Sequence, residues 1–368
     1  MKIFASRPAL LALTASIAAA FTVACSSDSN DGTPAAGTGG SSSGGGDGSG
    51  GQGTGGTSGS GGKGSGGAST GGTGTGGAAG GASTLSLHFA AKVGTKAFDC
   101  ESTYTGLGVN DCTLAPNDFR FYVHDVRLLA GSTETPVALD DDAKWQNGKV
   151  ALLDFENGKG TCDNGTTDTN AVVKGSAPAG SYTGIAFRIG VPEDQNHLNP
   201  ATEASPLNLS ALQWDWTYGH KFMKIDFTRL GMEDGGMMGR DAGMGGMGMD
   251  GGMMAMDGGG MDMPMDPNAV FFHLGSTVCT SADGGVHCSN VNRPELRFET
   301  FDPATQAVVV DYAAIVAGIS PGHDQGGMPG CMSGTDDPEC ESMLAAVGLD
   351  LSTGAPKTGQ TAFSVASQ

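Results

Sequence analysis

Leu85, Leu87 and Phe89 alternate with Ser86 and His88, the two-residue period of a strand with one buried face. The stretch Phe119-Arg120-Phe121-Tyr122-Val123-His124-Asp125-Val126 repeats the pattern more strongly and sets Phe119, Phe121 and Val123 on one side. Further strands are predicted over Val150 to Phe155, Tyr182 to Val191, Leu212 to Tyr218, Phe222 to Phe227 and Ala269 to Leu274. Leu296 to Phe301 and Ala307 to Val310 flank Asp302-Pro303-Ala304-Thr305, a good turn sequence. Helix is scarce. Tyr312 to Ile319 suits one short helix, and Pro338 to Val347 a second, with Asp336 or Asp337 as N-cap and Pro338 in the first turn. The expected fold is mainly β: an antiparallel β-sandwich or barrel with one or two short helices.

Two regions carry no such period. Twenty-six of the fifty residues from Gly32 to Gly81 are glycine, and most of the others are Ser, Thr or Ala. Such a segment buries too little apolar surface to offset its ordering entropy, so it reads as a disordered tether with a reach of ~40 Å. The second region, 231–267, holds twelve of the seventeen methionines among Gly and Asp, and is expected to be a disordered insert. Before the tether, Lys2 and Arg7 precede an apolar run from Pro8 to Val23. Small residues follow, then a cysteine, in Thr22-Val23-Ala24-Cys25, which reads as an export signal. This junction resembles a bacterial lipobox, which implies lipidation of Cys25. Thr22 stands where a large aliphatic residue is usual, leaving ordinary secretion open. The expected organisation is a signal peptide over 1–24, a linker over 25–83 and one β domain over 84–368. The expected location is outside the cytoplasm, as an outer-membrane lipoprotein facing the periplasm or the cell surface.

Export makes disulfides the expected state of most cysteines. Cys279–Cys288 and Cys331–Cys340 each bracket a short polar loop and are the favoured pairs. Cys100, Cys112 and Cys162 leave one thiol unpaired or joined elsewhere. The formal net charge of −20 argues against a nucleic-acid partner, which needs clustered Lys and Arg. No Walker loop, His-Glu-x-x-His or Gly-x-Ser-x-Gly elbow is present outside low-complexity sequence, and no Cys-x-x-Cys pair suggests structural zinc. The chain is therefore not expected to be an enzyme, although copper redox activity stays open.

Histidine, methionine and tryptophan remain. Imidazole suits copper, zinc and nickel, and thioether sulfur selects Cu(I). The methionine-dense insert resembles copper-capturing tracts, with a drifted low-complexity insertion as the bland alternative. Trp214-Asp215-Trp216, if a strand, turns both indoles to one face, where core packing is the ordinary role.

Several motifs occur in an order that resembles the MbnP-like family, also called the metallo-mystery-pair four-Cys proteins. They are Phe119 to Leu128; Val150 to Gly158; Gly190-Val191-Pro192 with Asn196-His197-Leu198-Asn199; Trp214-Asp215-Trp216 with Gly219-His220-Lys221-Phe222; Phe272-His273-Leu274-Gly275-Ser276 with Cys279, Cys288, Asn292 and Arg293; and Gly330-Cys331-Met332-Ser333 with Cys340. Asn199 replaces the family's usual Asp, and the Met/Gly insert falls outside its pattern. The resemblance implies an exported copper-binding protein. It also implies a MauG-like di-haem peroxidase as partner, which oxidises a tryptophan to kynurenine beside the metal. It points to His197 and His273 as ligands, with His220 and His124 as further candidates, and to Trp214 or Trp216 as the modified side chain. A metal-free surface module for adhesion or glycan binding is the competing reading.

Overall fold

The computed structural model describes residues 81–214, 217–231, 266–282, 285–323, 325–326 and 329–368. The signal, Cys25, nearly all of the tether, the methionines of the insert, and Trp216 lie outside these residues. The main strands are β1 (Ala82–Val93), β2 (Cys112–Ala130), β3 (Val150–Asp154), β4 (Val172–Pro178), β5 (Gly184–Ile189), β6 (Met223–Leu230), β7 (Ala269–Leu274), β8 (Thr277–Ala282), β9 (Gly285–Asn290), β10 (Glu295–Phe298), β11 (Gln306–Asp311) and β12 (Phe363–Ser367). Three short helices join them: α1 (Glu193–Asn196), α2 (Tyr312–Ile315) and α3 (Pro338–Ala346).

One sheet runs β12-β11-β1-β4 and ends on the short strand Ala138–Leu139. The other runs β10-β5-β2-β6-β7 and ends on Gly330–Cys331. Most pairings are antiparallel as expected, but β1 pairs β11 in parallel, and so does β7 with Gly330–Cys331. The sheets meet face to face through aromatic rings. Phe89 of β1 packs edge-on against Phe121 and Phe187 of the second sheet, at centroid distances of 6.2 and 5.5 Å. Phe227 stacks on Tyr312 at 3.9 Å and so ties α2 to the core.

The strand β2 organises the second sheet. Phe119, Phe121 and Val123 fill one face, as their alternation predicts, but Asp118, Arg120 and His124 on the opposite face are buried too. That second covered face carries the polar chemistry described below. Three disulfides between described residues pin the connections. Cys279 and Cys288 sit directly opposite each other across β8–β9, and Cys331–Cys340 ties Gly330–Cys331 to α3. Cys100 pairs with Cys162, and Cys112 is fully buried. Two local expectations change. The helix after Tyr312 is a single turn capped by Asp311, and Leu212 to Tyr218 is no strand among its described residues. A 3-10 turn over Ser210–Leu212 leads instead to one bridge between Gln213 and His220. α3 begins as expected, with the Asp337 side chain accepting from the Glu339 N–H.

Candidate metal centre

The second sheet's polar face gathers residues from three neighbouring strands. Register sets Lys224 of β6 between Arg120 of β2 and His273 of β7, and sets Asp226 opposite Asp118. These residues form one chain of charges. His273 Nε2 lies 2.6 Å from Asp226 Oδ1, and Asp226 Oδ2 lies 2.6 Å from Lys224 Nζ. Lys224 also pairs with Asp118, which Arg120 grips through Nε and Nη2. Arg120 then reaches Glu156, 3.7 Å away. Burial alone would protonate Asp226, but His273 and the Lys224 ammonium outweigh it and hold this carboxyl well below the usual range. Burial pushes His273 down, more than Asp226 pulls it up, and so favours the neutral ring. Its Nδ1 is buried and has no hydrogen-bond partner among the described residues. Buried polar atoms are nearly always satisfied, so an unmatched imidazole nitrogen invites a ligand.

Trp214 reaches the same region. It packs over Gly275, two residues beyond His273, so closely that a Cβ at Gly275 would overlap the indole and sit 2.9 Å from the His220 carbonyl. Gly275→Ala is expected to lower stability by about 1–3 kcal/mol through overpacking and to displace Trp214. Urea denaturation and indole emission, in a Trp145→Phe background, would report both effects.

The other predicted ligands are placed as follows. His197 caps α1, with Nε2 3.0 Å from the Asn196 side-chain nitrogen and 3.6 Å from the Cys288 sulfur. Asn196 also donates to Ser276, beside Gly275. His220 is fully buried, and both of its ring nitrogens face backbone carbonyls: Nδ1 that of Asn196 at 2.9 Å, Nε2 that of Leu207 at 3.0 Å. Gly219 makes this possible: its φ of 77° turns the chain onto Asn196, whose carbonyl leaves no room for a Cβ. As folded, His220 keeps no ring nitrogen for a metal. His124 lies elsewhere, lining a cleft of about 320 Å³ with Asp125, Lys149 and Asp194. Its Nδ1 lies 2.8 Å from the Gly190 carbonyl. Burial, helped by the Arg293 charge, lowers its pKa to about 4. Among the described residues no three His, Cys, Asp or Glu side chains converge in metal-binding geometry.

The family model for MbnP matches residues 82–333. The chain belongs to the MbnP family. Among solved structures it is similar to MbnP from Methylosinus trichosporium, with 27% identity and a TM-score of 0.61 over 78% of this chain and 99% of that one. No curated protein matches the chain. On this MbnP fold, Trp214 packs against Gly275, two positions along the chain from His273. Asp226 and Lys224 escaped the sequence reading. Lys224 and Asp226 alternate with buried apolar residues like an ordinary solvated strand face, and only the pairing with β2 and β7 gives them partners.

Proposed function

We propose that this MbnP-family chain is an exported copper-binding protein, tethered to the membrane through Cys25, with the metal held beside Trp214. One observation carries the reading: a buried His273 ring that spends Nε2 on Asp226 and leaves Nδ1 without a hydrogen-bond partner among the described residues. Imidazole nitrogen is a ligand type copper accepts, so the residues present fit the metal. His273 would hold it, His197 is the second candidate donor, and Trp216 follows Trp214 two positions along the sequence. Bound copper would supply a redox-capable, thiophilic centre. The chain's own part is to fix the imidazole, exclude water through burial and keep the indole close.

In this reading Trp214 or Trp216 is oxidised to kynurenine by a partner di-haem peroxidase of the MauG type. The change replaces one ring carbon by one oxygen overall, with peroxide as oxidant and the carbon leaving at the formate level. Of the six exposed large apolar side chains among the described residues, Leu198, Tyr218, Val278 and Val291 lie on the segments around Trp214, His197 and Gly275, a rim suited to a protein partner.

Metal analysis of purified protein tests the reading. Wild type produced with the peroxidase should carry stoichiometric copper, and its Trp214–Trp216 peptide should show the carbon-for-oxygen mass change. His273→Ala should lose the copper while keeping its disulfides and strand content. High-affinity copper in a His197→Ala, His273→Ala double variant would sink the site. A copper-free wild type would favour an adhesion or glycan-binding module.

A further inference from the structure

We infer that Asp226 is the positioning residue of the metal centre: it fixes His273 as the Nε2–H tautomer, so that the Nδ1 lone pair is the donor presented to the metal. The inference rests on the copper reading above and adds a mechanism for it. The carboxylate oxygen 2.6 Å from Nε2 can only accept, because Lys224, 2.6 Å from the other oxygen, keeps Asp226 ionised. Nε2 therefore carries the hydrogen. Metal-binding imidazoles generally donate their second N–H to such an acceptor, which orients the ring and raises its basicity.

Lys224 also fixes the carboxylate. Its ammonium bridges Asp226 and Asp118, and Arg120 anchors Asp118 through two nitrogens, so the arrangement reaches across three strands of a rigid sheet. The Ser333 hydroxyl donates to the His273 carbonyl at 3.0 Å and holds the backbone of the same residue. The ring is thus fixed at both its side-chain and its main-chain ends, while the remaining nitrogen, though buried, has no hydrogen-bond partner among the described residues. A residue held only for packing would not need an ionised partner at 4% exposure.

Asp226→Asn separates charge from shape. Lys224 attracts the amide oxygen and repels the NH2, so the NH2 turns toward His273 Nε2. That nitrogen must then accept, and the hydrogen moves to Nδ1, where it blocks the metal. In copper-free protein labelled with 15N-histidine, long-range 1H–15N spectra at neutral pH should show wild-type His273 protonated on Nε2 and the variant protonated on Nδ1. Copper affinity, measured by competition with a chelator, should fall about 10- to 100-fold in the variant. A wild-type ring protonated on Nδ1 overturns the assignment without any variant. So does a folded Asp226→Asn protein that keeps both the Nε2–H tautomer and wild-type affinity. Failure of the wild type to bind copper would instead overturn the copper reading, and the metal-free tautomer spectrum would still decide the role of Asp226.

Discussion

Arg120→Met is expected to lower folding stability by about 3–5 kcal/mol, the scale on which one partner of a buried ion pair is lost. Arg120 is 5% exposed and is bonded to Asp118 through two nitrogens, with Glu156 3.7 Å away. Methionine fills much of the space but leaves Asp118 to Lys224 alone and strips Glu156 of its cation. The loss should depend on pH through Asp154. Burial pushes that carboxyl up to about 8, against the pull of Arg120 and with help from the charges on Glu156 and Asp118. A carboxyl whose folded pKa lies above its unfolded value of ~3.9 contributes stability at low pH and loses it as pH rises through the folded value. Removing Arg120 raises Asp154 further, so ionising it in the folded state becomes harder still. The stability gap between wild type and variant should therefore widen from pH 6 to pH 9 in urea titrations. A gap that closes over that range would show that Arg120 does not act on this carboxyl.

The same network shows what the sequence could and could not reveal. Strands with one apolar face, such as the Phe119–Val123 run, were legible because alternation encodes burial. The polar face was not, since Arg120, Lys224 and Asp226 alternate as solvated residues do, and only the β2–β6–β7 pairing buries them. The hairpin β8–β9 is built mostly from exposed or half-buried Thr, Ser, Val and Cys, with little apolar signal. Its disulfide was readable from a separation of 9, whereas Cys100–Cys162 spans 62 residues and is set by tertiary contact alone. Trp214 looked like a strand residue because tryptophan favours strands. The Gly219 turn and the close approach to Gly275 decided otherwise. His273 was singled out only through the family motif, and its unmatched nitrogen only through structure.

His220→Ala distinguishes a ligand from a structural clip, and the clip predicts the larger effect on folding. The ring is fully buried, faces two backbone carbonyls from separate loops and meets the edge of Tyr122 at 5.9 Å. Truncation leaves a cavity and strips one of those carbonyls of the neutral ring's single N–H donor, together about 3–5 kcal/mol. It also removes the ring from the Asn196 carbonyl, on the loop that carries His197, while the main-chain N–H of residue 220 still donates to Asn196 Oδ1. Burial outweighs the two carbonyls and holds the His220 pKa below its ordinary value, so protonation opposes folding. This contribution is present above about pH 6.5 and is lost on acidification. The expected result is therefore a large drop in the denaturation midpoint, with copper still bound by whatever fraction remains folded. His220→Ala protein of unchanged stability that binds no copper would instead make this imidazole a ligand, and would require the ring to leave the Asn196 and Leu207 carbonyls when metal enters.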